Sequence, residues 1–513
     1  MEKLEQIIPR VDIGLAEAQV KLDPHEISAD KPRFGLNSIR EDVLKEHLAE
    51  LEGLRNQKVS LAWHREPTFQ AQLDRVTHSQ AVGGNSVKLL VNGVASQAQR
   101  EKNIKEADVI FLKTYNFHGD DVTGRRMIKL LKERLEADPK VKVFIQYDAK
   151  ADTSNALGAI WRGLTKSFKL PAAFGELEKM PGCVLIPTNS DSPNLLYGKD
   201  HEKYLFTYKE GEPVKLIMGG MNVGDDWAYG GDPNQRVEDL HGAYGYRDTD
   251  SEICGPVVKT ILNEYVFDAA NALTEQNRLR GGVFTNREMQ QLEAVLAKLQ
   301  KSKAAYAPAG KATIRFVANR PEQGVAGQYI EALYLAYLER IPQGETATIV
   351  SPFFLPPDSI LTAIKLATQR GVKVRLLLNP PEATESAMGM VATAAQDVYR
   401  ELFRDCAKNK LEIYEYHGNP KQGVGSFHHK LAMLGLGGLY SLGSSNMDYH
   451  SLRHNTEGVV IVEDKDSSVD FAKMMQIDLD EAVVHRVTRE EVEAASFFER
   501  AKQKLLRKLR YIL

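Results

Sequence analysis

The chain has 513 residues, a formal charge of −3 at pH 7, and 43% hydrophobic and 26% charged residues, which excludes wholesale disorder and leaves room for two to four domains of ~100–200 residues. The near-neutral balance gives no whole-chain electrostatic case for nucleic-acid binding. Three scattered cysteines (Cys183, Cys254, Cys406) exclude a disulfide framework or zinc ribbon and make a reducing compartment the default.

The N-terminal stretch MEKLEQIIPRVDIGLAEAQ lacks the apolar run of a signal peptide. The longest uncharged run, Leu431 to Met447, is shorter than the ~20 residues of a spanning helix, and its glycines and serines fit a hairpin instead. The expectation is a cytoplasmic protein, free or peripheral on the inner membrane face. Residues 1–85 read as a mainly helical accessory segment, with a helix over Ser38–Arg55 signalled by its Ser cap and the spacing of Val43, Leu44, Leu48 and Leu51.

From Val87 the texture changes. VKLLV (87–91), ADVIFLKTY (107–115) and VKVFIQYD (141–148) read as strands, with a helix over 125–137 between the last two. A second series follows: ATIRFVA (312–318), TATIVSPFF (346–354) and VKVRLLLNP (372–380), with a helix over 358–371. These are βαβ patterns of a parallel sheet, and the two series read as one unit written twice. A helix over 286–302 and the linker AAYAPAGKA separate them. The expected division is 86–303 for the first α/β unit, 304–487 for the second, and 488–513 for a C-terminal helix.

Each copy carries a His-x-Lys triplet: His201-Glu202-Lys203 and His428-His429-Lys430. If extended, each presents its imidazole and ammonium on one face. Each strand then turns, through KEGEP (209–213) or GLGG (435–438), and returns to a Gly-rich turn bearing an Asn, Asn222 or Asn446. Beyond each Asn a carboxylate, Asp248 or Glu457, precedes another β-like run, a place from which it can hold an imidazole in one tautomer. Solvated hairpins would not explain why both copies share triplet, turn and Asn.

On these residues the chain resembles the phospholipase D superfamily, and within it the bacterial cardiolipin synthase branch. HEK, GGMNVGDDW, YRDTDSEICGP, RGVKVRLLLNP, HHK and GSSNMDYHSLRHNTEGVVIV carry the resemblance from about Val87 to about Val487, with YNFHGDD and SPFFLPP matching strand-end loops. The resemblance implies two pseudo-twofold-related α/β/α domains sharing one active site at their interface. It implies phosphatidyl transfer to an alcohol or phospholipase D hydrolysis, a phospholipid substrate, a monomer, and neither metal nor cofactor. A nuclease of the same superfamily, or a catalytically impaired lipid-binding relative, is the other reading. Two Lys and two Asn facing one phosphate would neutralise it and stabilise the charge of its transition state. By resemblance alone, His201 is the nucleophile and His428 the general acid and base.

Three departures stand out. The family's Asp five residues after each Lys is Tyr208 and Gly435 here; the Arg usual after the second Asn is His450; and membrane-spanning N-terminal helices are absent. Asp225, Asp226 and Trp227 follow Asn222 closely and are expected to shape the substrate mouth. His450 and His454, spaced i, i+4, lack an evident third metal ligand, and His450 is expected to line the phosphate site. GLGGLYSLG precedes no helix and reads as a hairpin turn rather than a dinucleotide loop. Finally, residues 497–513 place Phe498, Ala501, Leu505, Leu509 and Ile512 on one helical stripe, with six basic residues against Glu499. Such a helix either docks on an anionic bilayer or packs on its own domain.

Overall fold

The computed structural model describes residues 63–149, 151, 174–189, 198–237, 240–279, 286–383, 386–435 and 439–510. The helix expected over 38–55 and the turn residues 436–438 lie outside them. Seven strands precede the midpoint of the chain: β1 (Ala81–Val91), β2 (Val109–Thr114), β3 (Lys142–Asp148), β4 (Cys183–Thr188), β5 (Tyr204–Tyr208), β6 (Lys215–Gly219) and β7 (Thr249–Cys254). Ten follow: β8 (Ala312–Ala318), β9 (Thr346–Ser351), β10 (Phe354–Leu355), β11 (Lys373–Leu378), β12 (Leu411–Tyr416), β13 (Leu431–Leu434), β14 (Leu439–Gly443), β15 (Met447–Asp448), β16 (Gly458–Glu463) and β17 (Val484–Val487).

All but β10 and β15 join one sheet, ordered β17-β12-β11-β9-β13-β14-β16-β8-β1-β7-β6-β5-β2-β3-β4. Read outward from the β8–β1 seam, the two sides repeat. The series β1-β7-β6-β5-β2-β3-β4 corresponds to β8-β16-β14-β13-β9-β11-β12, strand for strand. The written-twice pattern is therefore a pseudo-twofold fold, but its halves share a continuous sheet rather than meeting only through side chains. The seam is antiparallel, with Ala81 opposite Arg315 and Val82 opposite Ile314, and its register shifts between Val82 and Asn85. Gly83-Gly84 forms this bulge. Gly84 has φ +85°, and a Cβ there would lie 3.3 Å from Pro308. Hence β1 begins at Ala81, within the segment assigned to the N-terminal accessory region.

β2 (VIFLKT) is buried at all six positions, Lys113 and Thr114 included, because helices cover both faces of the sheet there. Those used below are α1 (Pro67–Thr77), α2 (Asn92–Glu106), α3 (Val122–Ala137), α4 (Val257–Leu279), α5 (Asn286–Lys301), α6 (Tyr329–Arg340), α7 (Asp358–Gln369), α8 (Ser386–Asp405), α9 (Lys465–Asp478) and α10 (Phe497–Lys508). Asp121 caps α3 by accepting from the Gly124 N–H, and Asp464 caps α9 from the Ser467 N–H. One apolar cluster runs under both halves, joining Phe206, Met218 and Ile253 to Phe316, Leu442 and Val460. Burying the seam in common core makes the halves one body. Among the described residues no helix is long and apolar enough to cross a membrane.

Candidate active site

The triplets do not lie in the ladder. His201–Lys203 and His428–Lys430 are the extended lead-ins to β5 and β13. Each lead-in pairs with the segment that carries the other half's carboxylate. The His201 N–H donates to the Thr456 carbonyl and the Thr456 N–H to the Lys199 carbonyl, both at 2.9 Å. On the other side, the Arg247 N–H donates to the Ser426 carbonyl and the His428 N–H to the Arg247 carbonyl, again at 2.9 Å.

This crossed pairing brings each imidazole to a carboxylate from the opposite half. His201 Nδ1 lies 2.9 and 3.1 Å from the two oxygens of Glu457, 256 positions away. His428 Nδ1 lies 2.7 Å from Asp248 Oδ2. Both carboxylates are buried, Glu457 at 0% and Asp248 at 1% exposure.

The middle residue of each triplet points into the layer behind the site. Glu202 accepts from Lys113 Nζ at 2.5 Å, and that ammonium also binds Asp268 of α4 at 2.9 Å and Asp200 at 3.0 Å. His429 is buried 4.0 Å from Asp248 Oδ1 and 4.0 Å from Asp478 Oδ2, the last residue of α9. Asp478 in turn takes a bidentate pair from the buried Arg247 guanidinium, at 2.7 and 2.9 Å. Arg247 is the residue before Asp248, so this pair fixes the backbone that aims the carboxylate. Asp478→Ala is expected to cost about 3–5 kcal/mol of stability by leaving a buried guanidinium without its counter-ion, read as a lowered urea midpoint.

The electrostatics follow from packing so many ionisable groups out of water. Burial pushes Lys203 down to about 7 and Lys430 to about 8; the Lys430 ammonium lowers Lys203 further, while Asp248 and Glu457 oppose the fall at Lys430. Burial likewise raises Asp248 and Glu457 to about 7, against the nearby lysines that favour ionisation. Both histidines are driven well below their ordinary value, first by burial and then by the ammonium groups around them. The site thus holds neutral imidazoles beside two buried lysines and two buried carboxylates whose charges burial makes costly.

Asn222 and Asn446 complete the set at the turns after β6 and β14. Asn222 Oδ1 accepts from the Asn116 N–H at 3.0 Å, which leaves its NH₂ as the donor end. Asn446 Oδ1 is buried with no hydrogen-bond partner among the described residues. Trp227 is brought directly onto His428, its indole N–H donating to Nδ1 at 3.1 Å. Asp225 is engaged elsewhere: its carboxylate accepts from the Thr123 N–H at 2.8 Å and the Val122 N–H at 3.3 Å, bracing the start of α3. His450 sits in the short helix Tyr449–Arg453, with its ring 5.5 Å from that of His454.

Sequence reasoning missed the rings packed on the histidines. Tyr115 meets His201 edge-on, with centroids 5.0 Å apart, and Tyr246 lies 5.1 Å from His428. Tyr115 opens the YNFHGDD loop, so the signal was present but unassigned. The substituted Asp positions are remote from the chemistry. Tyr208 ends β5 and Gly435 follows β13, each five residues beyond its Lys, ~16 Å along a strand at ~3.3 Å per residue. Tyr208 is core, and Gly435 adopts φ +95°. Their identity leaves the His, Lys and Asn set intact.

The duplicated α/β sheet, the crossed His–carboxylate pairs and the matched Lys and Asn are the arrangement that the resemblance to the phospholipase D superfamily implies. Within it the likeness is to the cardiolipin synthases: residues 337–479 match the family described as "Cardiolipin synthase, PLD-like domain". "Probable cardiolipin synthase YwiE" of Bacillus subtilis is 23% identical over 88% of this chain and 76% of its own. "Cardiolipin synthase A" of Pseudomonas syringae is 26% identical over 79% of this chain and 71% of its own. Phosphatidylserine synthase of Haemophilus influenzae, a solved structure, shares the fold with TM-score 0.58 at 13% identity, covering 86% of this chain and 100% of that one.

Proposed function

We propose that the protein transfers a phosphatidyl group from one phospholipid to an alcohol through a phosphohistidine. The crossed pairs carry this reading, because they bring two imidazoles with different hydrogen-bond surroundings to one cationic site. His201 faces only acceptors at Nδ1, so that nitrogen holds the proton and Nε2 offers its lone pair. At His428 the donor-only Trp227 and Lys430 both approach Nδ1, at 3.1 and 2.9 Å, with Lys430 farther from Nε2 at 3.1 Å, so Nδ1 is taken as the acceptor and Nε2 as the protonated nitrogen. Asp248, whose value burial raises to about 7, supplies the complementary O–H when protonated. These tautomers are assigned from the donor and acceptor pattern.

The steps follow. His201 Nε2 attacks phosphorus, forming a P–N bond as the bond to the headgroup oxygen breaks, and His428 Nε2–H protonates that leaving oxygen while the Asp248 O–H passes its proton to His428 Nδ1. Lys203, Lys430 and the Asn222 and Asn446 amides stabilise the phosphoryl oxygens. His428 then takes the proton of the incoming hydroxyl, whose oxygen displaces His201. The cardiolipin synthase relatives support cardiolipin as the product, which phosphatidylglycerol serving as both donor and acceptor would give together with glycerol.

The test is to incubate the protein with phosphatidylglycerol vesicles in EDTA and resolve the lipids. Cardiolipin is the expected product. Phosphatidic acid would make water the acceptor, and the absence of any lipid product would overturn the proposal.

A further inference from the structure

The C-terminal helix α10 packs on the body with its polar side. Gln503 is buried, accepts from Arg400 at 2.7 Å and donates to Gln396 at 2.7 Å. Arg507 pairs with Asp397 at 3.1 Å and also with Glu401, both on α8. Arg510 forms a bidentate pair with Asp358 at 2.7 and 2.8 Å. Positions 503, 507 and 510 lie on one helical face, so 497, 501 and 505 lie on the opposite one.

That outward face is the apolar one. Phe497 is 76% exposed, Phe498 82% and Leu505 60%. Lys502, Lys504 and Lys508 are exposed beside them, and Glu499 is the one acidic residue of α10, engaged in the capping box with Ser496. A helix that commits its ion-pairing side chains inward and displays phenylalanines among lysines is built for an apolar layer with an anionic surface.

Its position ties that surface to the active site. Arg510 holds Asp358, which follows β10, and its guanidinium lies 5.9 Å from the Tyr449 ring. β10 pairs in parallel with β15, the two residues directly after Asn446. The C-terminal end of α10 is thus strapped to the loop unit that carries a phosphate-binding amide.

We propose that α10 docks this enzyme on an anionic phospholipid bilayer, inserting Phe497, Phe498 and Leu505 between headgroups that Lys502, Lys504 and Lys508 attract. This goes beyond the proposed reaction, and vesicle binding is read without turnover, so either can fail alone. The experiment floats the full chain with phosphatidylcholine vesicles containing about one third phosphatidylglycerol, with pure phosphatidylcholine as control. The parent should bind the anionic vesicles and lose binding in about 0.5 M NaCl. The triple variant Phe497→Ser/Phe498→Ser/Leu505→Ser and the charge variant Lys502→Glu/Lys504→Glu/Lys508→Glu should each bind at least ~10-fold less. Unchanged far-UV circular dichroism and melting would show both variants folded, as expected for exposed positions. A folded serine variant that floats like the parent overturns the proposal, as does a parent that ignores anionic vesicles. So does self-association abolished by the serine variant with no effect on flotation, which would make the face a contact between copies.

Discussion

His201→Ala should lower turnover by at least ~10⁴-fold, about 5.5 kcal/mol in the barrier, and should abolish covalent labelling by substrate. His428→Ala should lose a similar factor with natural lipid yet still label His201, most visibly with a leaving group acidic enough to depart unprotonated. The asymmetry arises from the surroundings of the two rings. Glu457 grips His201 Nδ1 with both oxygens, while His428 lies among Asp248, Trp227 and Lys430. Quenched-reaction mass spectrometry reads the outcome: phosphate on His428, or on neither histidine, would sink the assignment.

Glu457→Gln is expected to reduce kcat by about 10²-fold with little change in KM, because the amide holds His201 less strongly as its ring becomes cationic. Asp248→Asn should cost a similar factor, about 10²-fold, since its N–H can still hold the His428 tautomer but cannot pass a proton to Nδ1. Stability should move the other way. Glu457 has its folded value raised to about 7 from 4.5, so the folded state binds more protons than the unfolded state between those limits. Its contribution therefore falls as pH rises through that window, and the penalty is complete above about 7. Glu457→Gln should melt higher than the parent at pH 8, with the gap closing towards pH 4.5. A variant less stable than the parent at pH 8 would show that the carboxylate supports the fold rather than only the reaction.

Much of this was legible in the residues. The strand over 312–318 and the helix over 286–302 match their observed bounds to within a residue, because apolar periodicity and flanking Gly or Pro set them locally. The His, Lys and Asn pairs stood out through repetition. What stayed hidden depends on distant pairing. Nothing local to Glu457 says that it serves His201 rather than His428; only the pairing of 199–201 with Thr456 decides that. Asp225, adjacent to Asn222, looked like a substrate contact but is engaged by the α3 backbone. Of the C-terminal stripe, Phe498 and Leu505 face outward and Ile512 lies outside the described residues; the orientation depends on acidic partners on α8 that the helix itself does not encode.

The crossed pairs also impose an order on biosynthesis. A chain leaving the ribosome presents His201 and Lys203 some 256 residues before the carboxylate that aims the imidazole exists. Glu457 precedes β16, which must insert between β8 and β14 before it can reach across the seam. A nascent chain in a cell full of phosphodiesters therefore carries an unaimed histidine, and competence arrives only once the last central strand has closed.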